Sequence, residues 1–110
     1  MDKITVHKGI CVNLNSTYKA KNSDYGDSFS KVRQEYPEAI CIRLMDKLER
    51  LKTLYRGQQA QVNESIEDTL LDIANYAIME LVERTADKEP MIKIDGIATE
   101  ESLRKMFKIR

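Results

Sequence analysis

Four glycines and two prolines are all the chain-breaking residues in 110, and this scarcity constrains the fold more than any motif. Many short strands need tight turns that draw on Gly and Pro, whereas long helices do not. The expectation is an all-α chain, a helical bundle built on an antiparallel helical hairpin. Residues that are 42% hydrophobic and 33% charged give enough apolar surface for a core and argue against disorder. The length suits a single domain over 1–110.

Spacing locates the helices. Ile10, Leu14 and Tyr18 recur every fourth residue and predict a helix from Thr5 to Lys21. The run from Lys21 to Ser28 concentrates turn formers; Gly26 can take positive φ, and Asp27 or Ser28 can cap a short helix ending near Tyr36. Pro37 suits the first turn of the next helix, whose stripe is Ile40, Leu44, Leu48, Leu51 and Tyr55, and Arg56-Gly57 ends it. After a polar connection from Gln58 to Asn63, a second arm begins between Asn63 and Ser65 and runs to Asp87. It carries Ile66, Leu70, Ile73, Ala77 and Leu81 on one face and is expected to be the longest helix. Leu71, Ile78 and Val82 widen that face beyond what one short hairpin covers, so a homo-oligomer is expected. Beyond Pro90, Met91 to Ile94 alternates, Asp95-Gly96 turns, and Thr99 can cap a last helix from Glu101 to Phe107 in a short C-terminal extension.

Eighteen Lys and Arg balance eighteen Asp and Glu. That balance removes the broad positive field used by generic nucleic-acid or anionic-membrane binders. No apolar run approaches the roughly 20 residues of a membrane helix, and Met1-Asp2-Lys3 opens without a signal-peptide apolar stretch, so a cytoplasmic location is expected. Cys11 and Cys41 fit neither zinc-knuckle nor CxxC spacing and are expected to be buried thiols. His7, the single histidine, is read as a surface or interface residue, Met45 and Met79 as packing, and the basic run Arg104 to Arg110 as a solvated helix end.

The chemistry concentrates on the hairpin. Glu64, Asp68 and Asp72 stand at i, i+4 and i+8, lining one edge of the second arm, and Asn75 continues that line. Like charges four apart repel by about 0.2–0.5 kcal/mol per pair, so a cation is implied. It is either Arg43, Lys47 or Arg50 from the facing helix, or a divalent ion, for which hard oxygen ligands suit Mg²⁺ or Mn²⁺. Acids and arginines set beside a core make either an ion-pair network or a polyphosphate and metal site.

Three segments carry a family resemblance: Lys21-x-x-Asp24-Tyr25-Gly26, Arg43-x-x-Asp46-Lys47-x-x-Arg50-Leu51, and Glu64-Ser65-x-x-Asp68-Thr69-x-x-Asp72. From Lys21 to Val82 the chain resembles the phage-associated nucleotide-modification-associated domain, first family. That family is similar to the all-α nucleoside triphosphate pyrophosphohydrolases of the MazG and dimeric dUTPase type, in which paired acidic helices hold Mg²⁺ against a nucleotide's phosphates. Asp46-x-x-Glu49 matches the first acidic pair of that pattern with one Asp replacement, whereas Glu64, Asp68 and Asp72 depart from the register of the second.

The resemblance implies Asp46, Glu49, Glu64, Asp68 and Asp72 as ligands of Mg²⁺ or Mn²⁺, with Asp46 and Asp68 as catalytic residues orienting water. It implies Arg43, Lys47 and Arg50, joined by Lys21, as phosphate-binding residues, and Tyr25 as a stacking residue for base or sugar. The leading expectation is a Mg²⁺-dependent nucleoside triphosphate pyrophosphohydrolase. The alternatives are a non-catalytic module that binds or sequesters a nucleotide or nucleotide-derived signal, and a helical protein-interaction adaptor.

Overall fold

The computed structural model describes residues 1–25, 27–57, 65–87 and 100–107, the side chains of residues 24, 25, 102 and 105–107 excepted. Among the described residues all regular structure is helical: α1 (Lys3–Tyr25), α2 (Ser28–Glu35), α3 (Ala39–Tyr55), α4 (Ile66–Asp87) and α5 (Glu100–Phe107). Among the same residues no helix is long and apolar enough to cross a membrane. The chain divides into two compact units, Met1–Ala77 and Ile78–Arg110.

In the first unit α1 outruns the expected helix at both ends. Asp2 caps it: the Ile4 amide donates to Oδ1 at 3.0 Å and the Thr5 hydroxyl to Oδ2 at 2.7 Å. These bonds, the Thr5 hydroxyl first and the Ile4 amide second, hold the Asp2 carboxyl below its ordinary value of 3.8. At the other end Asn22, Ser23 and Asp24 stay helical, because their weak helix propensity costs only tenths of a kcal/mol each. Among the described residues α1 has 23 residues and α4 has 22, so the expected longest helix does not exceed the first.

Asp27 stands at the N-cap of α2 with φ 60° and ψ 43° and makes no side-chain cap bond; the backbone there turns in the left-handed region instead. Pro37 precedes α3 rather than opening it, within a turn in which the Ala39 amide donates to the Tyr36 carbonyl at 2.9 Å. The end of α3 follows expectation. The Arg56 amide reaches the Lys52 carbonyl, the Gly57 amide reaches that of Leu54, and Gly57 takes φ +79°, which a side chain would disfavour.

Burial is concentrated. Leu14 (6% exposed) and Phe29 (8%) are the buried apolar residues among those described, and Thr69, Asn75 and Glu80 are buried polar ones. Of the first predicted stripe only Leu14 is fully buried; Tyr18 is half-buried and Ile10 exposed. On α3, Ile40, Leu44 and Leu51 are half-buried, whereas Leu48 and Tyr55 are exposed, because the stripe is wider than the neighbour that covers it. Met45, read as packing, is 66% exposed. Cys11 and Cys41 are both free and exposed, which corrects the expectation of buried thiols: each side chain faces solvent from its helix.

In the second unit Glu80 is buried and accepts from Arg84 Nε at 2.9 Å, one turn along α4. Arg104 Nη2 reaches Glu100 at 2.8 Å on α5. The Met91–Ile94 alternation, the Asp95-Gly96 turn and the Thr99 cap lie outside the described residues, as do Gly26 and the connection from Gln58 to Asn63.

Candidate functional site

Three cations on α3, Arg43, Lys47 and Arg50, share one helical face at i, i+4 and i+7, and all three are half-buried. Burying a guanidinium is costly unless something replaces its water. For Arg43 the replacement is aromatic. Its Cζ lies 5.1 Å from the centroid of Phe29 on α2 and 5.8 Å from that of Tyr76 on α4. Both distances fall within the range of about 6 Å where a ring's negative face attracts a cation, and Arg is the cation best suited because its planar group is weakly hydrated.

One turn further along α3, Lys47 Nζ meets Asp72 Oδ2 at 3.0 Å. Arg43 with Tyr76 and Lys47 with Asp72 advance one turn on α3 while retreating one turn on α4. Arg50, another turn on, holds its Nε and Nη2 away from solvent. The result is a row of three cations in which two rings hold Arg43 and one carboxylate holds Lys47, and the planar Arg43 group has the fork geometry that suits phosphate oxygens.

The acids are distributed differently. Asp72, of the predicted set, meets this row at Lys47. Asp68 closes a reciprocal cap with Ser65: the Asp68 amide donates to Ser65 Oγ at 3.0 Å, and the Ser65 amide donates to Asp68 Oδ2 at 3.1 Å. The Thr69 hydroxyl, wholly buried, donates to the Ser65 carbonyl at 3.1 Å and tightens the same turn. Glu49 accepts from Lys52 on its own helix at 3.1 Å, and Asp46 is exposed. Glu64 lies outside the described residues, so the five-acid set is seen only in part. Among the described residues no group of three or more His, Cys, Asp or Glu side chains is placed to hold a metal ion. Lys21 is exposed on α1, and Tyr25 ends that helix with its side chain outside the described residues.

Phe29 is the contributor that spacing did not reveal. It is the single aromatic residue of a short polar helix, Ser28–Glu35, and too few residues surround it to define a period. Tyr76 had a readable signal: it extends the Asp68 and Asp72 series by one more turn.

No curated protein and no solved structure matches the chain. Residues 21–83, more than half of the chain, match the family described as nucleotide modification associated domain 1. That stretch takes in Phe29, the cation row, Asp72 and Tyr76, and the chain belongs to the nucleotide modification associated domain 1 family.

Proposed function

We propose that the chain is a nucleotide-handling protein that grips the phosphates of a nucleotide, or of a nucleotide-derived small molecule, with Arg43, Lys47 and Arg50, in the cytoplasm. The observation that carries this reading is the placement of Arg43 between Phe29 and Tyr76 beside the Lys47–Asp72 pair. An ion-pair network alone does not call for two rings holding one guanidinium, since a carboxylate would neutralise it more directly. Lys21 and Tyr25 are assigned to the same ligand through the family motif they belong to. The α3–α4 pair is proposed as the antiparallel hairpin that frames the site.

The second reading is Mg²⁺- or Mn²⁺-dependent cleavage of a nucleoside triphosphate, with Asp46 and Asp68 acting on water and Glu49, Glu64 and Asp72 completing the metal site. What favours it is the position of Asp72 at the edge of the cation row. Among the described residues, however, Asp68 and Glu49 are engaged locally, and the donor set does not form a metal site.

One substitution separates the two readings. Lys47 and Asp72 are part-exposed, so their pair is worth about 0.2–1 kcal/mol. In a phosphate-binding module Asp72 competes with the ligand for Lys47, and Asp72→Asn is expected to tighten binding about 1.5- to 5-fold. In a metal-dependent hydrolase the same change abolishes turnover. The check is calorimetry with a panel of nucleotides, in Mg²⁺ and in chelator, and analysis of bound and free material for intact or cleaved ligand. Wild-type protein that binds no nucleotide, dinucleotide or cyclic nucleotide overturns both and leaves the adaptor reading.

Self-association completes the proposal. Leu70, Ile78, Leu81 and Val82 of α4 are each between 40% and 45% exposed, an apolar surface suited to a second copy of the chain. Light scattering at tens of micromolar is expected to give a multiple of 12.7 kDa, and Ile78→Glu to lower it; a monodisperse wild-type monomer overturns this part.

A further inference from the structure

We propose that His7 and Cys11, on the exposed first half of α1, form a binding site for a thiophilic divalent ion of the zinc class. The site is independent of the nucleotide reading. The two residues stand one turn apart on the helix, and His7 Nδ1 lies 3.9 Å from Cys11 Sγ. Bond lengths of about 2.3 Å for zinc to sulfur and 2.0–2.1 Å for zinc to imidazole nitrogen, at a tetrahedral angle, place two such donors about 3.6 Å apart. The pair is therefore within a few tenths of an ångström of ligand geometry, a difference that side-chain rotation absorbs without moving the backbone.

The donors are chemically matched. Imidazole nitrogen and thiolate sulfur are the ligands that borderline-soft divalent ions select over carboxylates, whereas Mg²⁺ takes oxygen. Both side chains are exposed, so an ion reaches them without opening the fold, and water fills the remaining positions. The site is thus of the open kind, with two protein ligands, and not a closed structural centre. Lys3, one turn before His7, and Lys8, next to it, add positive charge nearby and weaken the site without removing a donor. The bound ion ties positions i and i+4 and fastens one turn of α1.

Cys41 supplies an internal control. It is equally free and exposed, but the residues three and four positions away along the chain are Pro37, Glu38, Leu44 and Met45, none of them a histidine. The experiment is alkylation of the full chain, with each cysteine followed by peptide mass spectrometry, in chelator and in a modest molar excess of Zn²⁺. Zn²⁺ is expected to slow alkylation of Cys11 several-fold and to leave Cys41 unchanged. His7→Ala is expected to abolish the protection of Cys11. Alanine is the best helix former, so this exposed substitution keeps α1 intact. Equal protection of both cysteines, protection that persists in His7→Ala, or no protection at all overturns the proposal.

Discussion

Phe29→Ala is expected to be the most destabilising single change described here, with a cost of about 3–5 kcal/mol. Phe29 is 8% exposed and one of the two buried apolar side chains among the described residues, so its loss opens a cavity with little else to fill it. It also strips one ring from Arg43 and leaves a part-buried guanidinium with less to offset its lost hydration. A domain's stability is about 5–15 kcal/mol, so the folded state loses a large share of its margin. At about 4 °C or more per kcal/mol, the melting temperature falls by at least about 12 °C, read from the loss of helical circular dichroism. Phe29→Leu retains most of the volume but not the ring, so its difference from wild type reports mainly the cation contact and its difference from Phe29→Ala reports the cavity. A fall of only a degree or two in Phe29→Ala would mean that Phe29 does not organise the α2–α3 packing.

Arg43→Ala is expected to have the largest effect on ligand binding. A charge-assisted hydrogen bond is worth about 1.5–3 kcal/mol, so losing one to a phosphate weakens affinity about 10- to 150-fold. Arg43→Lys retains the charge, forfeits the planar fork and the stacking, and should fall between alanine and wild type. Calorimetry with the nucleotide that binds wild type best is the measurement, and Arg56→Ala, at the exposed end of α3, is the control. Equal dissociation constants for Arg43→Ala and wild type remove Arg43 from the site. Tyr76→Ala is expected to shift affinity in the same direction by less, because it positions Arg43 without taking its hydrogen bonds.

Local punctuation was the most legible part of this fold. Gly57 ends α3 where it was expected to, because it answers a local demand for a left-handed residue, and α4 starts just after the expected window of Asn63 to Ser65. The run 22–24 misled because turn-forming residues state a preference worth tenths of a kcal/mol, which the remainder of α1 overrides. Stripes fared in between. Period identifies which residues share a face but not how far a neighbour extends along it, so Leu44 and Leu51 are partly covered while Leu48 and Tyr55 are not. The cysteines failed for a related reason: average burial of a residue type says nothing about a helix with apolar residues all round, as on α1.

The candidate site was legible in its cations and obscure in what holds them. Helical spacing sets Arg43, Lys47 and Arg50 on one side of α3, and the family resemblance supplied the role expected of them. That Lys47 would meet Asp72 was one of the stated options, and spacing could not choose among Arg43, Lys47, Arg50 and a metal ion as the neutraliser. Asp68 looked like chemistry and is at least also architecture, since the same Ser-x-x-Asp pattern caps a helix. Phe29 was invisible because a contact between elements leaves no mark on the period of either one.

The two halves of α1 divide the work of making a helix. From Met1 to Asn13 every residue is exposed, and burial begins at Leu14. Helix formation is cooperative: the first turn is costly to nucleate, and isolated helices shorter than about 12–15 residues are marginal in water. Leu14, with half-buried Thr17, Tyr18 and Asn22 after it, supplies the nucleus, and the first half is propagation from it, closed off at the far end by Asp2. Warming should therefore melt α1 from Asp2 inward while the turn at Leu14 holds, a gradient set by distance from the buried nucleus.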